Sequence, residues 1–297
     1  MLFPGFKEMG FKEMTVPGEG AEISLMTGGQ GPSLLLLHGY PQTRAMWHRV
    51  ALELAGHFTL IIPDLRGYGD SSKPVSDAEH FTYSKRATGQ DMIEVMARLG
   101  HERFFVAGHD RGGRVGHRMG LDHPERIKKL AVLDIVPTLK LFESVNQEIA
   151  TGYYHWFFLI QPEPYPERMI GHDPDYYLHA TLERWSGGGL QVFGALALDE
   201  YARCFRDPET IHASCEDYRA GASIDLEHDR ADGGRKLAMP VLAIWGERGL
   251  IHRRFDVPAT WRERASDVRG QFLPCGHFPA EEAAHETAQL LLDFFKD

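Results

Sequence analysis

Cysteine is scarce in this chain: three in 297 residues, Cys204, Cys215 and Cys275, with no metal or redox spacing among them. Such a set excludes a disulfide framework and suits a reducing compartment, so a cytoplasmic protein is expected. Basic blocks are lacking too. Lysine and arginine number 32 against 42 aspartates and glutamates, a net charge of −10, which disfavours nucleic acid and anionic membranes as partners. No apolar run reaches bilayer length, and Met1-Leu2-Phe3-Pro4-Gly5-Phe6-Lys7 has no signal-peptide core. The histidines are numerous, sixteen in all, yet none falls in His-Glu-x-x-His or a similar zinc pattern. No metal, nucleotide or other cofactor is therefore expected. Internal repeats and low-complexity segments are missing as well. What is present is a hydrophobic content of 43%, enough for one large α/β domain or a domain with an insertion.

Turn residues at Pro17-Gly18-Glu19-Gly20 predict an opening hairpin over residues 12–26, and 28–32 reads as a loop. Ser33-Leu34-Leu35-Leu36-Leu37 is a continuous apolar run, as in a central parallel strand covered on both faces. It ends in His38-Gly39-Tyr40-Pro41, and glycine turns at the C-terminal ends of such strands are where ligands bind in open α/β sheets. The pattern continues with a helix from Trp47 to Leu54 and a strand at 59–62. Pro63-Asp64-Leu65-Arg66-Gly67-Tyr68-Gly69-Asp70-Ser71 is a turn-rich loop, and a helix follows at 84–99. Strands are expected again at 104–107, 130–133, 240–246 and 269–273, with helices from Arg111 to Met119, around 256–265 and at about 281–295. Residues 138–235 break the alternation with Tyr153-Tyr154-His155-Trp156-Phe157-Phe158 and proline-bounded pieces. They read as a mostly helical lid inserted into a core made of 1–137 and 236–297.

The chemistry concentrates at Gly108-His109-Asp110-Arg111-Gly112-Gly113-Arg114. A strand running into Gly-x-Asp-x-Gly and then a helix has the shape of a nucleophile elbow, with Asp in place of the more familiar Ser. The turn leaves no room for a Cβ on either side. On this stretch alone Asp110 also reads as an ordinary helix N-cap. Later strand ends supply Asp134 and His277, giving the order nucleophile, acid, histidine.

His38-Gly39-Tyr40-Pro41, the 64–71 loop, the 108–114 elbow and Gly276-His277-Phe278 together resemble the α/β-hydrolase superfamily along essentially the whole chain. The Asp elbow resembles the branch that holds haloalkane dehalogenases, epoxide hydrolases and fluoroacetate dehalogenases. The resemblance implies a mostly parallel sheet flanked by helices, with Asp110 as nucleophile and His277 as the base that activates water. Many relatives carry the histidine's acid in Trp-Gly-x-x-Asp. Here that segment is Trp245-Gly246-Glu247-Arg248-Gly249. Asp134 ends the strand after the elbow helix, a position that resembles that of the acid in the fluoroacetate dehalogenases; it is the favoured acid, and Glu247 is the alternative.

After the nucleophile, haloalkane dehalogenases and soluble epoxide hydrolases usually carry Trp; this chain carries Arg111, with Arg114 on the same helical face. Two guanidiniums beside the nucleophile can grip a substrate carboxylate in fork geometry. The resemblance further implies that His155, Trp156 and Tyr218 receive the halide and that the backbone N–H groups of Tyr40 and Arg111 form an oxyanion hole. It also suggests Trp185 as a lining residue that limits substrate size, and a homodimer. The expected partner is a small anionic 2-haloacid. Alternatives are an epoxide hydrolase on the same Asp, using lid tyrosines, and a non-catalytic ligand receptor on the same fold.

Overall fold

A computed structural model describes residues 6–296. Eight strands form one sheet: β1 (Lys12–Pro17), β2 (Glu22–Gly29), β3 (Ser33–Leu37), β4 (Thr59–Pro63), β5 (Phe104–His109), β6 (Ile127–Leu133), β7 (Val241–Gly246) and β8 (Val268–Leu273). Their order is β1-β2-β4-β3-β5-β6-β7-β8. The pairs β1–β2 and β2–β4 are antiparallel, and every pair from β4 to β8 is parallel. The expected hairpin is β1–β2. The expected loop at 28–32 is partly wrong, because Gly28 and Gly29 still pair with Leu60 and Thr59 of β4.

The continuous apolar runs sit where both sheet faces are covered: Leu34 to Leu37, Leu60 to Ile62 and Phe104 to His109 are all buried. β6 starts three residues before the predicted 130. Lys128 and Lys129 hide the strand from an apolar-run reading. Their ammonium groups lie 5.4 Å and 5.2 Å from the ring centroids of Phe105 and Phe294.

Helices α1 (His48–Leu54), α2 (Lys85–Arg98) and α3 (Arg111–Asp122) belong to the core side of the chain. Between β6 and β7 the described residues hold helices and no strand: α4 (Thr138–Glu143), α5 (Gln147–Gly152), α6 (Tyr154–Phe158), α7 (Tyr165–His172), α8 (Pro174–Trp185), α9 (Ala195–Phe205), α10 (Pro208–Ala222) and α11 (Ile224–Asp232). The chain closes with α12 (Leu250–Arg254), α13 (Val257–Arg262), α14 (Pro279–Glu282) and α15 (Ala284–Lys296). Two predicted helices are thus shorter or divided. Asp256 caps α13 by accepting from the Ala259 N–H at 2.9 Å. The break after α14 is held by Glu282, whose carboxylate accepts from the N–H groups of Gly187, Gly276 and Phe278 at 2.7, 2.9 and 3.1 Å. Both are local polar events that hydrophobic periodicity does not register.

Candidate active site

The elbow is a steric construction. A Cβ on Gly108 would lie 2.4 Å from the Gly112 carbonyl oxygen, and one on Gly112 would lie 2.4 Å from that of His38. Only bare backbone lets β5 turn so tightly into α3. Between these glycines Asp110 takes φ 42° and ψ −113°, a backbone region that non-glycine residues seldom enter. Asp110 stands at the N-cap position of α3, but its side chain makes no capping hydrogen bond. The carboxylate accepts instead from the Tyr40 N–H at 3.2 Å. It is buried and 4.0 Å from Arg114 Nε. Arg111 is the first residue of α3, so its N–H has no partner within the helix.

Asp134 follows β6 and also has a positive φ, 52°. Its Oδ1 accepts from the Gly246 N–H at 3.0 Å, and its Oδ2 lies 2.6 Å from His277 Nδ1. His277 is buried, and its own carbonyl is 2.7 Å from His109 Nε2. Among the described residues Glu247 makes no hydrogen bond to His277; the carboxylate paired with the histidine, at Nδ1, is Asp134. A Cβ on Gly249 would lie only 3.6 Å from Asp134 Oδ1. The strand end that carries the acid in many relatives is therefore adjacent to the one that carries Asp134.

The charges at this centre depend on one another. Burial pushes the Asp110 carboxyl up, but His277, Arg114 and Arg111 outweigh it and hold the group below its usual range. Burial pushes His277 down, but the hydrogen bond and charge of Asp134, with the charge of Asp110, raise it above the usual imidazole value.

The arginines differ in part from the expected fork. Arg111 already spends one edge on Asp217, with Nε at 2.8 Å from Oδ2 and Nη2 at 2.9 Å from Oδ1 and 2.6 Å from the Asp217 carbonyl. Lys85 and Tyr68 hold the same carboxylate. Arg114 Nη1 donates to the Val136 carbonyl at 2.9 Å and to Thr138 Oγ1 at 3.0 Å. Two buried N–H groups are left without a partner, Arg111 Nη1 and Arg114 Nε. The site thus offers an unpartnered, buried donor nitrogen from each anchored guanidinium. The guanidiniums stack on aromatic faces, Arg111 4.2 Å from the Tyr218 centroid and Arg114 4.6 Å from that of Trp156.

The helical segment supplies the facing wall. His155, Trp156 and Tyr218 are buried, with ring centroids 5.5 Å apart for His155–Tyr218 and 5.9 Å for Trp156–Tyr218. The Tyr218 hydroxyl, His155 Nδ1 and Trp185 Nε1 have no hydrogen-bond partner. Burial drives His155 well below and Tyr218 well above their ordinary values, so both stay neutral. Trp185 lies 4.2 Å from His155 and 5.5 Å from His277, ring to ring. The Tyr40 ring meets Tyr218 edge-on at 5.2 Å, while its hydroxyl donates to the Tyr177 hydroxyl at 3.3 Å. All ten expected residues converge; Glu247 does not join them. Sequence reading missed Asp217, Lys85 and Tyr68. No local pattern could have found them, because they meet only through tertiary folding.

This geometry defines a class: an α/β sheet protein whose strand ends present a carboxylate on an elbow and a histidine paired to a second carboxylate. The family described as alpha/beta hydrolase fold matches residues 32–284, and the chain belongs to it. It is 48% identical to a fluoroacetate dehalogenase from Burkholderia sp, over 97% of this chain and 95% of that protein. It is 34% identical to a soluble epoxide hydrolase from Corynebacterium sp. (strain C12), over 93% of this chain and 94% of that protein. A solved structure from Nostoc sp PCC 7120, provisionally called an alpha/beta hydrolase, superposes with a TM-score of 0.95 at 57% identity, covering 96% of this chain and 98% of its own.

Proposed function

We propose that this protein hydrolyses short 2-haloacids, fluoroacetate and chloroacetate among them, to the 2-hydroxy acid and halide. The observation that carries the reading is a pair of unpartnered, buried guanidinium nitrogens on the two arginines whose charges act on Asp110: Nη1 of Arg111, and Nε of Arg114, which is 4.0 Å from the carboxylate. Buried donors without acceptors cost free energy unless a ligand satisfies them. A carboxylate with two oxygens fits two such donors, and an alkyl halide offers nothing to them.

In this reading Arg111 and Arg114 hold the substrate carboxylate and lower its repulsion with Asp110. An Asp110 oxygen attacks the α carbon, the C–halogen bond breaks, and an aspartyl ester forms. The neutral His155, Trp156 and Tyr218 donate hydrogen bonds to the departing halide. Esterification removes the Asp110 charge, one of the charges that raise His277. The histidine then becomes easier to deprotonate at the step where a base is needed. His277, supported by Asp134, takes a proton from water, which attacks the ester carbonyl. The N–H groups of Tyr40 and Arg111 receive the developing oxyanion. Collapse frees the hydroxy acid and restores Asp110. The helical segment 138–235 acts as the lid over a core of 1–137 and 236–297, excluding bulk water, and Trp185 limits substrate size.

Halide release tests the reading with fluoroacetate, chloroacetate and a neutral haloalkane, beside an epoxide. The expected result is halide from the haloacids and none from the haloalkane. Epoxide opening without haloacid turnover would overturn it in favour of the epoxide hydrolase, for which Tyr218 and Tyr153 would be the proton donors. Binding without turnover of either would favour a receptor.

A further inference from the structure

A cavity of about 270 Å³ meets the constellation at His277, Asp134 and Trp185. Its lining also includes Arg184, Arg248 and Arg253, all exposed. These come from three separate elements: Arg184 from the end of α8, Arg248 from the loop after β7, and Arg253 from α12. Backbone carbonyls hold them in place. Arg184 Nη2 donates to Thr151 O at 3.2 Å, Arg248 Nη1 to Gly187 O at 3.3 Å and Arg253 Nη1 to Arg248 O at 3.0 Å. Glu148, 3.6 Å from Arg253 Nε, offsets one charge. Arg184 and Arg248 have no carboxylate within ion-pair distance among the described residues.

This local charge stands against the chain as a whole. At a net −10 the protein repels a small anion at long range, and only a positive mouth reverses the sign along the approach. We propose that Arg184, Arg248 and Arg253 form a vestibule that gathers small carboxylates and guides them to the His277 side of the active site. The proposal rests on the haloacid reading and adds the route by which the anion arrives.

The test compares kcat/KM for chloroacetate with that for neutral chloroacetamide, between about 10 and 300 mM ionic strength. Exposed charges roughly 10 Å from the path each contribute about a factor of two at low salt. In the double variant Arg184→Gln/Arg248→Gln the chloroacetate-to-chloroacetamide ratio is expected to fall about three- to fivefold, with a flatter salt dependence. The Glu substitutions at both positions lower the ratio further. Arg98→Gln, a remote exposed change of the same sign, leaves the ratio alone. Ratios and salt slopes equal to wild type in both double variants overturn the guiding role and leave the haloacid reading standing. Failure of the wild-type protein to turn over chloroacetate overturns the haloacid reading, and the vestibule with it.

Discussion

Replacing Asp134 with Asn tests the base assignment. Asp134 Oδ1 accepts from the Gly246 N–H at 3.0 Å, and Oδ2 lies 2.6 Å from His277 Nδ1. An Asn side chain can keep the Gly246 bond only by pointing its NH2 at Nδ1. That nitrogen must then be an acceptor, so the imidazole proton moves to Nε2, the atom that has to take a proton from water. The reverse orientation puts NH2 against the Gly246 N–H and loses a buried hydrogen bond, at about 1–3 kcal/mol. The first orientation therefore wins, and the variant loses both the tautomer and the charge that stabilises the imidazolium. Together these predict a fall on the order of 10³–10⁴-fold in ester hydrolysis. Ester formation depends on Asp110 and the arginines and is little changed. With chloroacetate the variant should release one halide per site and then stall, and intact mass should show Asp110 heavier by a carboxymethyl group. Removing Asp134 also removes the leading cause that raises His277. Wild-type turnover rises as pH climbs through the His277 value, and any residual activity of the variant rises at lower pH. Steady-state turnover within about threefold of wild type, or no ester, would refute the reasoning.

Tyr218→Phe removes a buried hydroxyl that has no partner. Fluoroacetate kcat should fall about 10²-fold and chloroacetate kcat less, with the thermal midpoint unchanged or raised, because fluoride depends most on hydrogen-bond donors as it leaves. Asp217→Asn strips the shared partner from Arg111 and Lys85. It should lower the thermal midpoint by roughly 6–15 °C in calorimetry and raise KM for haloacids. Glu281 is buried, and desolvation raises it to about 8 despite the Tyr201 hydrogen bond and nearby Arg49. Its proton is bound in the folded chain and released by the unfolded one between about pH 4.5 and 8, so its contribution is full below that window and lost across it. Glu281→Gln should flatten the decline in unfolding free energy, read from urea titrations between about pH 5 and 8.5, by a few kcal/mol; an unchanged slope would show that Glu281 is not held protonated.

The sheet was legible because its central strands are unbroken apolar runs, Leu34–Leu37 and Phe104–Ala107 above all. The elbow was legible because sterics force glycine into it. Polar packing was not. Asp217 lies 106 residues from Arg111 in sequence, and nothing around either residue announces the other. A reading based on charge alone gave both guanidiniums wholly to substrate, whereas each is first anchored by the protein and keeps a buried nitrogen without a partner. Tyr153 was legible only as one of three lid tyrosines open to the epoxide alternative; its burial beside Asp134 and Asp110, which keeps its phenol well above the ordinary value, comes from the fold.

The nearness of Gly249 to Asp134 has an architectural consequence. Gly249 has φ −78° and ψ 168°, a backbone that any residue adopts, and a Cβ there would meet Asp134 at van der Waals distance and the Gly246 carbonyl oxygen at a tighter 3.3 Å. The chain after β6 and the chain after β7 thus meet beside one cavity that His277 also lines. A Gly249→Asp change in an Asp134→Asn background is expected to restore part of the relay from the adjacent strand, once the Gly246 carbonyl gives way slightly. The partner of the histidine belongs to a shared corner of the sheet rather than to one strand, and a lineage could cross from one arrangement to the other through a protein carrying both.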